Sequence, residues 1–262
     1  MDWSNFALVS ACSLLGIALL QILTWVWSRQ VEKWAVVDVV WGAGFAVVGV
    51  LSLVVGTGDL TRRLLLAALV CIWGLRLTWH IYSRSKGKGE DPRYEKLTKG
   101  MSPLGASVKV FGLQAALQFL ISLPLQASAS AGATSGVFYV VLALGVMIWG
   151  VGLTFESLGD AQLKAFKADS DNKGKVMDEG LWAWTRHPNY FGDACVWWGL
   201  FVMVLSAGTW GVVWTVLAPI TMTHFLRNVS GAKLLEESMK ERPAFQDYMK
   251  RTAYFFPRRP QR

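Results

Sequence analysis

The stretch that decides the fold of this chain is residues 180–198, Gly-Leu-Trp-Ala-Trp-Thr-Arg-His-Pro-Asn-Tyr-Phe-Gly-Asp-Ala-Cys-Val-Trp-Trp. It puts four polar side chains at the start of a segment that then becomes wholly apolar. These side chains are those of Arg186, His187, Asn189 and Asp193. Ionisable and amide groups at the entrance of a membrane helix are unfavourable unless they face a partner or a ligand. The stretch therefore predicts a membrane protein with a binding site at the membrane surface.

The composition is typical of a protein that crosses a membrane several times. Of the 262 residues, 53% are hydrophobic and 17% are charged, and the mean hydropathy is +0.36. Seven stretches are long and apolar enough to span a bilayer, at about 6–27, 34–56, 64–82, 104–124, 136–158, 190–207 and 209–226. We therefore expect an all-α, multi-pass protein, a bundle of seven transmembrane helices that forms a single domain over residues 1–262.

Positive charges are distributed asymmetrically along this topology. Of the 26 lysines and arginines, only Arg62 and Arg63 fall on the same side as the N-terminus when the seven spans are joined in order. The positive-inside rule then predicts an outside N-terminus and a cytoplasmic C-terminus, so the net charge of +8 is mainly a topology signal. Nucleic-acid binding is not expected, because outside the membrane mouth no basic stretch is interleaved with aromatic residues. On the outside, residues 127–133 (Ala-Ser-Ala-Ser-Ala-Gly-Ala) are predicted to form a flexible loop.

The cysteines do not indicate a metal site or a disulfide framework. Cys12, Cys71 and Cys195 all lie within predicted spans at unrelated spacings, whereas zinc sites and disulfide frameworks need regularly spaced ligands or pairs. We expect neither a metal nor a disulfide.

The fifth span ends in a graded polar stripe. Spacings of four, four and three residues put Glu156, Asp160, Lys164 and Lys167 on one helical face, with the acids deeper and the cations nearer the cytosol. One interpretation is a wall of a ligand site. The alternative is a series of helix-stabilising pairs whose long side chains extend to the interface.

The sixth span begins with the features of an anion site. Pro188 suits the first helical position, and the free N–H groups after it, reinforced by Arg186, could bind a phosphate. Gly192 would let another backbone or a flat ring approach the helix closely. The alternative is a capped helix whose arginine contacts lipid headgroups.

A lone acid in the second span is the candidate proton donor. Asp38 lies in the run Ala-Val-Val-Asp-Val-Val-Trp, where a carboxyl needs a partner or must take up a proton. The third span supplies Arg76 and His80 on one face, so a purely structural Asp38–Arg76 pair is the alternative. His80 alone could equally be a packing or interface histidine.

The tail after residue 226 has heptad-like apolar positions. These positions predict an amphipathic helix that folds back over the cytosolic mouth as a lid, or one that simply lies on the membrane surface.

The polar motifs together resemble those of a known family. The run from Thr185 to Asp193, with Gly180-Leu181-Trp182 before it and Glu90-Asp91-Pro92-Arg93-Tyr94 upstream, is similar to the bacterial, DUF1295-type branch of the membrane steroid 5α-reductase family. The Arg-His-Pro-Asn-Tyr-x-Gly-Asp run is also similar to that of the sterol C14 and Δ7 reductases. A looser resemblance is to the isoprenylcysteine carboxyl methyltransferases, which share Arg-His-Pro-x-Tyr and a later Glu-Glu.

The resemblance implies NADPH-dependent reduction of the double bond of an apolar α,β-unsaturated ketone, most simply a 3-oxo-Δ4-steroid reduced to its 5α-dihydro product. It implies a substrate chamber mainly in residues 1–125 and a cofactor half at about 83–103 and 156–262. The implied catalytic residues are Asp38, Trp73, Arg76, His80 and Tyr82. The implied cofactor-binding residues are Arg84, Asp91, Arg93, Tyr94, Glu156, Asp160, Lys164, Lys167, Arg186, His187, Asn189, Tyr190, Asp193, Arg227, Glu236 and Tyr248.

This chain departs from the family pattern at three positions. Asp38 is shorter than the family's glutamate, and Glu156 replaces an asparagine. Trp73 stands where the eukaryotic members carry a tyrosine, so the second catalytic residue is open among Trp73, Tyr82 and His80.

The resemblance also implies partners and a location. The substrate would be a hydrophobic, steroid-like molecule entering from the bilayer, in a bacterial inner membrane with the active site toward the cytoplasm.

Two other function classes remain open. One is a membrane methyltransferase using S-adenosylmethionine, with Glu236 and Glu237 near the sulfonium; the other is a scaffold or small transporter without catalysis.

Overall fold

The computed structural model describes residues 1–237 and 239–260, and within these ranges the chain is all-helical, with no strand. The α-helices, in chain order, are α1 Trp3–Val31, α2 Val36–Val39, α3 Trp41–Val55, α4 Leu60–Ser85, α5 Pro92–Thr98, α6 Pro103–Ser107, α7 Leu113–Ile121, α8 Leu123–Ala129, α9 Phe138–Ala168, α10 Pro188–Leu205, α11 Leu217–His224, α12 Ala232–Glu237 and α13 Pro243–Arg251. Short 3₁₀ or π segments are Val108–Gly112, Ser170–Asn172, Gly180–Ala183, Trp210–Val216 and Phe225–Val229. The predicted all-α class is confirmed.

Within the part of the chain that the structure describes, four helical segments are long and apolar enough to cross a membrane. They are Trp3–Val31, Leu60–Ser85, Pro103–Ile121 and Phe138–Ala168. Their lengths of 19 to 31 residues meet the roughly 20 that a bilayer needs. The membrane character predicted from the sequence is thus confirmed.

The other three predicted spans are shorter or irregular. Span two is divided at Val40 into α2 and the 15-residue α3. Span six is α10, whose first turns are polar, and span seven is a 3₁₀ segment followed by α11 and a π turn. The count of seven spans and the orientation of the termini stay predictions.

The chain forms two compact units. Unit 1 comprises Met1–Tyr139 and Val204–Ala218, and unit 2 comprises Val140–Met203 and Pro219–Arg262. The loop at 83–103, predicted with the cofactor half, belongs to unit 1.

In unit 1, α1 is polar on its buried face and apolar on its exposed one. Gln21, Ser13 and Thr24 are buried, whereas Leu15 and Leu19 are exposed. Such an arrangement is expected where the surrounding solvent is lipid, because polar groups then find partners only inside the protein.

The predicted flexible loop at 127–133 is wrong for most of its length. Every residue of α8 is buried, and so are Ser130 and Ala131. The cause is Arg62, which is fully buried and donates four hydrogen bonds to residues 128–132, including 2.9 Å to Ser128 Oγ, and a fifth of 2.8 Å to Thr134 Oγ1. The small residues that suggest a linker instead let the segment pack closely.

In unit 2, α9 and α10 pack through glycines. A Cβ on Gly192 would lie 2.4 Å from the backbone nitrogen of Glu156 and 2.5 Å from the carbonyl oxygen of Gly152. A Cβ on Gly199 would lie 2.5 Å from the backbone nitrogen of Trp149. The close approach that Gly192 predicts is therefore made by the backbone of α9, and the two helices leave no gap at this level.

Candidate active site

The most distinctive polar cluster of unit 1 surrounds Asp38, in the short helix α2. The hydroxyl of Tyr94 donates a hydrogen bond of 2.5 Å to Oδ1 of Asp38, and Nη2 of Arg93 donates one of 2.9 Å to Oδ2. The cation that pairs with Asp38 is thus Arg93, from α5, in place of the Arg76 that sequence spacing suggests. Two donors that converge on one carboxyl, one of them charged, stabilise its anionic form.

Two caps hold the loop of Arg93 and Tyr94 against α2. The carboxylate of Glu90 accepts hydrogen bonds from the backbone N–H groups of Trp34 and Ala35, the latter at 3.1 Å. Asp91 is the N-cap of α5, where it accepts from the backbone nitrogen of Arg93 at 2.8 Å. Because both acids lie at helix starts, they satisfy N–H groups that the helices leave free.

Apolar packing fixes the ring of Tyr94. Tyr94 is 7% exposed and belongs to a cluster with Val37, Val110 and Phe111. Burial, together with the negative charge of Asp38, raises the pKa of the Tyr94 hydroxyl. Tyr94 therefore keeps its proton at physiological pH and remains a hydrogen-bond donor.

The carboxylate of Asp91 stabilises the guanidinium of Arg93. Both Asp91 oxygens accept from Arg93 Nε at 3.1 Å, and Oδ2 also accepts from Nη2 at 2.9 Å. Burial alone would raise the pKa of Asp91, but these hydrogen bonds from Arg93 hold it below its ordinary value. Arg93 thus joins Asp91 and Asp38 into one ion-pair network.

The other predicted catalytic residues lie along α4. Trp73 is fully buried and packs on Phe45, with ring centroids 5.7 Å apart. Arg76 and His80 are half-buried, whereas Tyr82 and Arg84 are exposed near the end of the helix. Of the aromatic residues considered for the second catalytic role, none occupies the position of Tyr94 on Asp38. The signal that could have identified Tyr94 is the Asp91-Pro92 helix start, which fixes the residues just after it.

In unit 2, Arg186 anchors the C-terminal segment. Its Nε and Nη2 donate to the two carboxylate oxygens of Glu236 at 2.7 and 3.1 Å. Its Nη1 donates to the carbonyl oxygens of Met249 and Thr252 at 3.1 and 2.7 Å. Such bidentate pairing is geometrically specific, so the guanidinium is committed to protein groups.

His187 completes this network. Its Nε2 lies 2.9 Å from Oε1 of Glu236, and its ring stacks on that of Tyr190 at 5.7 Å. Burial alone would raise the pKa of Glu236, but hydrogen bonds from His187 and Arg186 and the charge of Arg186 hold it below its ordinary value. Glu236 thus bonds the segment after residue 226 to the start of α10 inside unit 2.

Arg227 is held by aromatic rings. Its guanidinium carbon lies 5.7 Å from the ring centroids of Tyr254, Phe255 and Phe256. Its Nε is buried, and no acceptor among the described residues reaches it. This arginine therefore has a hydrogen-bond donor available for a ligand.

The polar stripe of α9 has the predicted gradient of burial. Glu156 and Asp160 are buried, whereas Lys164 and Lys167 are exposed. The amide of Asn189 on α10 donates to Oδ1 of Asp160 at 3.1 Å. The structure thus brings one predicted cofactor residue of α10 together with one of α9.

Two more predicted cofactor residues of unit 2 are buried. Asp193 is 7% exposed on α10. Tyr248 donates from its hydroxyl to the carbonyl oxygen of Trp182 at 2.6 Å, and burial raises the pKa of that hydroxyl. Its polar atom is therefore engaged in holding α13 to the segment before α10.

Sequence comparisons find two proteins that are similar to this chain. The uncharacterized protein C594.04c of Schizosaccharomyces pombe is 24% identical over 268 residues, which cover 89% of this chain and 74% of that protein. The "Probable O-methyltransferase ustE" of Ustilaginoidea virens is 39% identical over 74 residues, which cover 28% of this chain and 26% of that protein. No solved structure matches the chain significantly.

The family comparison covers most of the chain. Residues 24–252 match the family described as "Protein of unknown function (DUF1295)". This range includes the Asp38 cluster of unit 1 and the Arg186 network of unit 2. The protein therefore belongs to the DUF1295 family.

Proposed function

We propose that this protein is a membrane reductase that uses NADPH to reduce the carbon–carbon double bond of an apolar α,β-unsaturated ketone. The DUF1295 family is linked to steroid 5α-reductase-like proteins. The long apolar helices suit a substrate dissolved in the bilayer. The observation that carries the proposal is the Asp38 carboxyl, which a hydroxyl and a guanidinium approach at the start of an apolar helix.

Within this class, the proposed substrate is a 3-oxo-Δ4-steroid, reduced to its 5α-dihydro product. The proposed setting is seven spans in a bacterial inner membrane, with the active site toward the cytoplasm. The proposed substrate and the proposed membrane setting rest on the family resemblance and on the charge distribution of the sequence.

Asp38 is the acid of this mechanism. When protonated, its carboxyl donates to the ketone oxygen, where negative charge builds as the β-carbon is reduced. The carboxylate that remains accepts from Tyr94 and Arg93 in the geometry of the structure, at 2.5 and 2.9 Å. The enol returns this proton as the α-carbon is protonated by solvent, so the carboxyl is regenerated. Tyr94 and Arg93 are positioning residues, because they stabilise the anion that Asp38 becomes.

Several residues of unit 2 fit a dinucleotide. Lys164 and Lys167 are exposed cations, and Arg227 has an available Nε, so these three would hold phosphates. Asn189 and Asp160 supply an amide and a carboxylate for a carboxamide. NADPH, when bound, supplies the hydride.

Arg186 does not fit the phosphate role that the resemblance implies. Its donors already reach Glu236 and the carbonyls of Met249 and Thr252. In this proposal Arg186 and His187 instead hold the C-terminal segment that carries the aromatic support of Arg227.

A thermal-shift titration tests the proposal. NADPH should raise the Tm of the detergent-purified protein, because a ligand that binds only the folded state stabilises it by about 2.7 kcal/mol at a hundred times its Kd. Arg227→Gln should weaken this shift, whereas Arg242→Gln, which changes an exposed arginine of the same unit, should not. Absence of any shift with NADPH would refute the cofactor assignment.

A methyltransferase is the second candidate. The observation that favours it is the 74-residue similarity to a protein named as an O-methyltransferase. It would need Glu236 near a sulfonium, yet this carboxylate accepts from both Arg186 and His187. S-adenosylmethionine in the same titration separates the candidates, since only the ligand that binds raises the Tm.

A further inference from the structure

Two glutamines form a buried amide pair inside unit 1. Nε2 of Gln21, on α1, donates to Oε1 of Gln118, on α7, at 2.9 Å. Gln118 is fully buried and Gln21 is 4% exposed. Both lie within candidate membrane spans, where a polar group without a partner is costly.

The orientation of both amides follows from their neighbours. Nε2 of Gln118 donates to the carbonyl oxygens of Trp41 and Val40 at 3.0 and 3.4 Å. Because carbonyl oxygens can only accept, this end of the Gln118 side chain is its NH₂ group. Oε1 of Gln118 must then face Gln21, and Gln21 must present its own NH₂ group to it.

The amide of Gln118 is held in a fitted space. A Cβ on Gly44 would lie 2.1 Å from its Nε2, so only glycine leaves room for the amide at this position. The Gln118 amide therefore has one position and one orientation, and these fix the orientation of the Gln21 amide that bonds to it.

As a result, the NH₂ group of Gln21 is used by Gln118, and the atom of the Gln21 amide that is left for a ligand is its acceptor oxygen. Oε1 of Gln21 is buried, and no donor among residues 1–237 and 239–260 reaches it. A buried carbonyl oxygen left without a donor costs about 1–3 kcal/mol, so the site favours a ligand that supplies an O–H or N–H group.

The location connects this acceptor with Asp38. Gln118 bonds to the carbonyl of Trp41, and Trp41 follows Asp38 by three residues at the junction of α2 and α3. One helix turn earlier on α7, the side chain of Gln114 lies beside the hydroxyl of Tyr94, which donates to Asp38. The acid and the amide pair are thus joined through the α2–α3 junction.

We infer that Oε1 of Gln21 accepts a hydrogen bond from a hydroxyl group of the substrate, at a point remote from its ketone. This inference rests on the proposed function and narrows its substrate class to apolar enones that carry a hydroxyl. A second carbonyl in that place meets the acceptor oxygen of Gln21 and is rejected.

Equilibrium binding of three ligands tests the subsite without requiring turnover. The ligands are testosterone, androst-4-en-3-one and androstenedione, which share the enone and carry a hydroxyl, nothing or a ketone at the far end. The purified protein should bind the hydroxyl ligand about tenfold more tightly than the unsubstituted one, as expected for a hydrogen bond of roughly 1.4 kcal/mol. The ketone ligand should bind most weakly of the three.

Variants assign the discrimination to one side chain. Gln21→Met should bring the hydroxyl and unsubstituted ligands to equal affinity. Gln126→Met is the matched control, because Gln126 is also a fully buried glutamine of unit 1 whose Oε1 lacks a donor among the described residues. It should leave the ratio unchanged. A ratio of two affinities measured on one preparation does not depend on how much protein is folded.

The possible results separate the two proposals. Equal affinities for all three ligands in the unaltered protein, or an unchanged ratio in Gln21→Met, would overturn the subsite while enone reduction could still stand. A ratio that Gln126→Met abolishes would move the subsite away from Gln21 and overturn it too. If no enone binds and none is reduced, the proposed function itself fails.

Discussion

The hydroxyl of Tyr94 bonds to the carboxyl of Asp38, although the two residues are 56 positions apart in the sequence. Arg93, the neighbour of Tyr94, bonds to the other oxygen of the same carboxyl. The loop that sequence motifs assign to the cofactor is therefore the support of the candidate acid. A glutamate cap on α2 and an aspartate cap on α5 produce this arrangement, since both fix the loop before any ligand binds.

Replacement of Asp38 by Asn should remove the acidic proton while leaving the volume of the side chain nearly unchanged. We expect turnover of an enone to fall by about 10²- to 10⁴-fold, the range for loss of a general acid, while NADPH affinity changes less than twofold. Steady-state kinetics and a separate NADPH titration measure the two quantities. An equal loss of both would show that Asp38 serves folding or cofactor binding instead.

Tyr94→Phe removes only the hydroxyl that donates to Asp38. We expect turnover to fall roughly tenfold or more, and the pH profile of turnover to shift upward, because the Asp38 carboxylate loses a stabilising donor. Tyr139→Phe is the control, since Tyr139 is exposed at the start of α9 and has no part in the proposed site. A profile that keeps its position in Tyr94→Phe would mean that this hydroxyl does not act on the acid.

The Glu236 network predicts acid sensitivity of unit 2. The folded-state pKa of Glu236 lies below its ordinary value of 4.5, so its contribution to folding is complete above that value and is lost as the pH falls through the lowered one. Melting curves between about pH 3 and pH 6 should show a steeper loss of Tm on acidification than those of Glu236→Gln. Glu237→Gln, at an exposed neighbour, should keep the steep loss. Identical slopes in the unaltered protein and Glu236→Gln would contradict this role.

The α9–α10 contact leaves no space for a methyl group at Gly192. Gly192→Ala should destabilise by about 2 kcal/mol, a fall of roughly 5 °C in Tm, because its Cβ would meet backbone atoms of Gly152 and Glu156. Gly150→Ala is the matched control on α9, where nothing lies within 4 Å of the added carbon. That substitution should be neutral or stabilising, since alanine favours a helix. Equal melting points would argue against the close packing.

Arg62 should be indispensable for α8. Arg62→Met leaves two hydroxyls and three carbonyls without their donor, so we expect a loss of at least about 3 kcal/mol. Arg62→Lys should recover only part of it, because an ammonium group cannot span acceptors arranged for a planar fork. Proteolysis within residues 123–134 should increase in the same order. Protection that does not change in Arg62→Met would show that α8 is held by packing alone.

The sequence predicts the helical class and the main membrane segments because apolar length alone decides them. The segments α1, α4 and α9 include the stretches expected at 6–27, 64–82 and nearly all of 136–158. Sequence reasoning fails at α8, where alanine and serine resemble a linker. There the deciding contact is long-range, since the partner of Ser128 lies 66 residues away at Arg62.

The site residues divide in the same way, into those that local sequence patterns predict and those that depend on long-range contacts. The gradient along α9 is predictable from helical spacing, and so is the need of Asp38 for a partner. The sequence does not predict which residues bond to Asp38, because Arg93 and Tyr94 come from a loop. The position of this loop depends on helix caps and on the packing of Tyr94 against Val37. Likewise, the side chain that bonds to Arg186 is Glu236, 50 residues further along the chain, and no local pattern connects them.

The proposed activity is tested most directly by isotope transfer. NADPH carrying deuterium at the transferable position of the nicotinamide is incubated with the detergent-purified protein and a 3-oxo-Δ4-steroid, and the product is analysed by mass spectrometry. The proposed reduction should give a saturated ketone with one deuterium at the β-carbon, and Asp38→Asn should give no such product. Recovery of unchanged steroid and unoxidised NADPH from the unaltered protein would contradict it.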